Sequence, residues 1–128
     1  MRTVFEIAYR YLTPAIRREL VRRLLEKSFM EVEVSRMLRI SHSLVSRYVS
    51  GERGSAIDLS RYRDVMDRIE ILAERIARGE ANYYRIYEEI ERITLYTLSK
   101  KYLCNIHKAI DPHIDPANCN ICPNLFAA

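Results

Sequence analysis

Tryptophan and glutamine are absent from this chain, and only three glycines and four prolines interrupt its 128 residues. So few backbone breakers predict a mostly helical protein with few sharp corners. No apolar run reaches the roughly eighteen residues of a membrane helix, so no membrane partner is expected. The opening residues lack the uninterrupted apolar core of a signal peptide, which points to a cytoplasmic location. No glycine-rich phosphate loop is present. His42 with Ser43 or Ser46 cannot build a nucleophile, base and orienting acid from neighbouring positions on one helix surface, so no enzymatic activity is expected. The missing glutamine, set against abundant Arg, Glu, Ile and Tyr, suits a heat-adapted cytosol where thermolabile amides are avoided and ion-pair networks gain value. A thermophilic source would also relax the rule that intracellular disulfides are rare.

The net charge of +4 is modest but unevenly placed. Residues 1–54 hold eleven Lys/Arg against six Asp/Glu, whereas residues 55–128 hold ten against eleven. A basic front half is what attraction to nucleic-acid phosphates requires, although an arginine-rich solvated surface has the same composition.

Helical spacing begins with Val4, Ile7, Ala8 and Tyr11. Thr13-Pro14 then reads as a cap followed by a first-turn proline, or as a kink within one long helix. The next helix runs to about Lys27 and buries Ile16, Leu20, Leu24 and Val21. Arg17, Arg18, Arg22 and Arg23 give it a basic face that can meet phosphates or simply be solvated. A helix over about 31–38 turns Val34, Met37 and Leu38 inward. Ser41 can cap a second, over about 42–49, that buries Leu44 or Val45 and Tyr48. Residues 50–55 are the clearest linker. From Leu59 a heptad seam follows (Tyr62, Met66, Ile69, Ala73, Ile76) and ends at Gly79 as a left-handed cap. A second seam (Tyr83, Ile86, Ile90, Ile93, Thr97) predicts a hairpin, with Tyr84, Tyr87, Leu95 and Leu98 left to face the front half or another subunit. Tyr83, Tyr84 and Tyr87 read as core or interface rather than a ligand-stacking cluster. After Tyr102 the rhythm fails among Asp111-Pro112, Asp115-Pro116 and Pro123.

A DNA-reading helix needs exposed donors and acceptors near its N-terminal half and a buried face that docks it. Ser41, His42, Ser43, Ser46 and Arg47 supply the first, with Arg53 just beyond. Arg47 can fork onto a guanine edge or grip a phosphate. On these residues, positions 29–53 resemble the helix-turn-helix of phage-repressor-like transcriptional regulators. At the positions of that pattern the chain has Ser35, Leu38, Arg39, Ile40 and Ser41, the variable trio His42 to Leu44, then Val45-Ser46-Arg47-Tyr48-Val49 and Ser-Gly-Glu-Arg-Gly. Tyr-Leu-Thr-Pro-Ala-Ile-Arg-Arg-Glu-Leu at 11–20 and the cysteine-bearing tail are similar to small archaeal regulators, and a similar module is fused to thiamine-phosphate synthase in some archaea. The likeness covers roughly the first 54 residues well and the rest loosely. Arg39 departs from it, standing where a glycine usually takes a left-handed conformation, at a cost of about 1 kcal/mol. Ser35 stands where alanine is usual at the helix crossing.

All three cysteines lie within nineteen residues, as Cys104-Asn-Ile-His107 and Cys119-Asn-Ile-Cys122. A two-residue gap lets both members of each pair turn toward one ion. Zinc is the favoured metal. An iron–sulfur cluster is the alternative, His113 can stand in for His107, and a disulfide or free thiols would leave no metal at all.

The sequence therefore predicts an all-α protein in three parts: a helix-turn-helix bundle over 1–54, a long dimerising hairpin over 55–102, and a short irregular metal-binding tail over 103–128. The expected function is a homodimeric transcriptional regulator that binds double-stranded DNA sequence-specifically and carries a structural or redox-sensing metal site. The competing expectation is a helical protein-interaction adaptor with a zinc knuckle.

Overall fold

A computed structural model describes residues 1–127, and every regular element in them is a helix. In chain order these are α1 (Val4–Ile7), a π-helical turn (Ala8–Leu12), α2 (Thr13–Glu26), α3 (Glu31–Leu38) and α4 (His42–Ser50). A short 3-10 turn (Leu59–Arg61) leads to α5 (Arg63–Ala77), α6 (Tyr83–Ser99), α7 (Cys104–Ile110) and α8 (Ile121–Phe126). No helix is long and apolar enough to cross a membrane.

Pro14 shapes the first element in a way local spacing does not reveal. Its ring would strike the carbonyl four residues back, and it has no N–H to donate. The backbone answers by widening to the π register just upstream, where the Thr13 N–H reaches the Ala8 carbonyl. Thr13 is therefore inside a continuous helical rod and caps nothing; the position before it, Leu12, is helical and makes no side-chain cap.

α2 is the hub, packing against α3, α4, α5 and α6. Ile16, Leu20, Val21 and Leu24 are fully buried along it, as is Leu12 in the turn just before it. Each contributes about 1.5–3 kcal/mol of apolar burial. One core runs from Ile7 to Cys122 and includes residues of the helical pair, the hairpin and the tail.

The hairpin forms as its spacing predicts, but the buried face of α5 is wider than a heptad seam. Val65 and Leu72 are buried as well, because α5 faces α2 on one side and α6 on the other. Met66 and Tyr62 are only half-buried. On α6, Thr97 is buried with its hydroxyl donating to the Ile93 carbonyl at 2.7 Å, so no polar atom is stranded. Gly79 ends the first arm at φ 71°, as a left-handed cap residue should. Leu98 lies in the core, whereas Tyr84 and Tyr87 are exposed.

Residues 103–127 are not simply irregular. Two short helices frame the Asp-Pro turns, and α8 packs on α6. Tail and chain start hold each other: the Arg2 backbone N–H donates to Asp111 Oδ2 at 3.2 Å, and the Phe5 and Phe126 rings meet edge-on at 5.9 Å. Contacts between residues a hundred positions apart leave no periodic trace in either stretch.

Candidate functional site

The helical pair α3–α4 places the residues singled out for DNA reading. Between them Arg39 adopts φ 52° and ψ 44°, the left-handed turn conformation. Its guanidinium lies 4.8 Å from the centre of the Tyr83 ring on α6. A cation–π contact of about 0.5–1 kcal/mol offsets much of the cost of a non-glycine residue there. Ser35 is buried at the helix crossing, its hydroxyl satisfied by the Val32 carbonyl at 2.8 Å.

Ser41 is extended (φ −68°, ψ 152°), and its Oγ accepts the Leu44 N–H at 3.1 Å, launching α4. Val45 and Tyr48 are buried beneath the helix, and Leu44 is half-buried. Arg18 of α2 donates through Nε to the Tyr48 carbonyl at 3.0 Å, closing the far end. Gly51 at φ 80° ends the helix. Gly54 then brings the chain hard against α2, where a Cβ would stand 2.6 Å from the Pro14 carbonyl oxygen. The linker is therefore docked.

With its rear fixed, α4 turns Ser41, His42, Ser43, Ser46 and Arg47 to solvent, and Arg53 is exposed beyond it. Arg47 lies back along its own helix, Nε donating to the Ser43 carbonyl at 3.4 Å. The basic face of α2 is used differently. Arg18 serves α4, Arg22 pairs with Glu19 at 3.1 Å, and Arg23 pairs with Glu70 at 2.7 Å. Most of that face is committed within the fold.

Glu31, which the sequence reasoning passed over, belongs to this surface. Its Oε1 accepts the Ser46 hydroxyl at 2.9 Å and lies 3.6 Å from His42 Nε2. The signal was available: the first residue of one helix in such a pair faces the first turns of the next.

A second constellation lies in the tail. Cys104 and His107 open α7, while Cys119 and Cys122 sit just before and within α8. All four line one cavity of about 20 Å³, together with Val4 and Lys101. His113 is exposed and does not line it. His107 Nε2 lies 2.7 Å from the Arg2 carbonyl. The three thiols are free. Burial, reinforced by Cys104 and Cys119, pushes the Cys122 thiol up to about 11, and burial raises Cys104 as well. Among the described residues no three His, Cys, Asp or Glu side chains are drawn together as a ready ligand set.

Comparison with known protein families, curated protein sequences and solved structures gives no match for this chain.

Proposed function

We propose that this protein is a sequence-specific regulator of transcription that lays α4 in the major groove of duplex DNA. One observation carries the reading. α4 is anchored behind by Val45, Tyr48 and the Arg18 cap, while His42, Ser43, Ser46 and Arg47 stand uncovered on the opposite face. A groove-reading helix needs that division of labour. In this reading Arg47 leaves the Ser43 carbonyl to fork onto a guanine edge or a phosphate. Ser43, Ser46 and His42 contact base edges or backbone, and Ser41 and Arg53 meet phosphates. Two copies would present two α4 helices to half-sites about one DNA turn apart, with the protein acting as a cytoplasmic homodimer.

The test is duplex binding measured by fluorescence anisotropy over a range of salt. Wild-type affinity should fall steeply with salt, and Arg47→Ala should weaken binding about 5- to 150-fold, equivalent to about 1–3 kcal/mol. Salt-independent association indifferent to Arg47→Ala would overturn the reading and favour a protein-docking adaptor.

A further inference from the structure

We propose that Cys104, His107, Cys119 and Cys122 bind one zinc ion that fastens the end of the chain to its beginning. The four side chains converge on a single cavity of about 20 Å³, and Cys104, His107 and Cys122 also line a neighbouring void of about 10 Å³. Space on this scale suits one small centre. Three sulfurs and one imidazole nitrogen form the donor set of a closed tetrahedral structural site.

His107 is held through one of its ring nitrogens. The Arg2 carbonyl oxygen can only accept, so the Nε2 atom 2.7 Å away must carry the proton. A neutral imidazole protonated at Nε2 keeps its lone pair on Nδ1. Holding the ring through its other nitrogen is how metal-ligating histidines are commonly fixed. No three of these side chains are yet drawn together, and χ1 is the one torsion with which each cysteine can bring its sulfur to the ion. Binding replaces three S–H bonds with three Zn–S bonds and releases three protons to solvent, leaving a site with one net negative charge. Lys101 lines the same cavity, held by donation from Nζ to the Pro116 carbonyl at 2.7 Å, and sets a positive charge against it. The ion thereby ties α7 and α8 to Arg2 and Val4, at opposite ends of the chain.

The experiment uses the full, reduced chain, stripped with chelator and titrated with zinc and separately with Co(II). One equivalent of zinc should bind and raise the thermal midpoint. Co(II) should give the intense visible absorption of a tetrahedral thiolate site. Cys119→Ser and Cys122→Ser should each lose that equivalent, and His113→Ala should keep it. Because Cys122 is buried, the half-buried Cys119 provides the decisive variant if Cys122→Ser does not fold. Sub-stoichiometric binding, an octahedral Co(II) spectrum, full binding by Cys119→Ser, or iron and sulfide in freshly isolated protein would overturn the proposal. Duplex binding by the same preparations is a separate readout, independent of this one.

Discussion

Arginine is handled in opposite ways by α6 and by the helical pair. Along α6, Arg85 pairs with Glu88 and Glu89 at 3.4 Å, and Arg92 pairs with Glu88 at 3.4 Å and Glu89 at 3.7 Å. Glu70 on α5 receives both Arg23 and Lys27 from α2, at 2.7 and 2.5 Å. Asp64 is shared between the hydroxyls of Tyr96 and Tyr102, at 2.6 and 2.9 Å. Burial works against its charge, yet those hydroxyls hold its carboxyl below the ordinary aspartate range. In the helical pair and the segment just after it, by contrast, Arg36, Arg47 and Arg53 have no carboxylate partner among the described residues. Charges that answer one another hold helices in register. Charges left unanswered on an anchored surface are available to a ligand.

The largest effect that would sharpen this contrast comes from two adjacent residues on α4. Tyr48 is 1 % exposed, so Tyr48→Ala should cost about 3–5 kcal/mol in urea unfolding, as for other large aromatic truncations. Arg47→Ala, one position away, should change stability by no more than about 0.5 kcal/mol while weakening duplex binding as described above. If both substitutions destabilised the fold equally, Arg47 would be structural and the division between the two faces of α4 would fail.

How much of this was legible in the sequence depends on the distance over which each feature is determined. The Ser41 cap, the burial of Val45 and Tyr48, the left-handed turn at Arg39 and the cap at Gly79 are settled within a few residues, and the pattern exposes them. The π turn before Pro14 is local too, but it needs the geometry of the whole rod to show that the helix continues instead of restarting at Thr13. Val65 and Leu72 fall outside the seam because burial on α5 is set by two partners, and a heptad describes only one. The short helices at 104–110 and 121–126 are too brief to show a period. Their packing onto Arg2 and Phe5 joins opposite ends of the chain, which no window of sequence can contain. Glu31 is legible only from the pairing of two helices, because the groups it meets, Ser46 and His42, lie on α4 and no pattern within α3 marks it.

A smaller effect should appear in the pH dependence of the α2–α5 contact. Lys27, and after it Arg23, hold Glu70 below the ordinary glutamate range even though burial opposes this. The contribution is therefore complete above the unfolded pKa of about 4.3 and disappears as pH falls through the lower folded value. Glu70→Gln should cost about 1 kcal/mol or less near neutrality. It should also make stability less sensitive to acid between about pH 5 and pH 3. Duplex affinity should not change. Denaturant midpoints measured across that pH range provide the check, and equal acid sensitivity in the two proteins would remove Glu70 from the hairpin's anchoring charges.

Glu31 is where the contrast is most finely poised, because it is a carboxylate placed among the donors of the proposed reading face. Its bonds to Ser46 and its approach to His42 hold those side chains in place, yet its negative charge opposes any phosphate drawn toward Arg47. Glu31→Gln separates the two roles, since the amide oxygen still accepts from Ser46 while the charge is gone. Stability should stay within about 0.5 kcal/mol, as for most surface changes. Non-specific duplex affinity should rise several-fold at low salt, and the gain should shrink as salt screens the removed repulsion. Selectivity between sequences is a separate measurement: a carboxylate can accept from the exocyclic amine of cytosine, so its loss should relax preference at one base position. If Glu31→Gln leaves both low-salt affinity and sequence preference unchanged, the surface formed by Glu31, His42 and Ser46 does not face DNA, and the reading face must be redrawn around Arg47 alone.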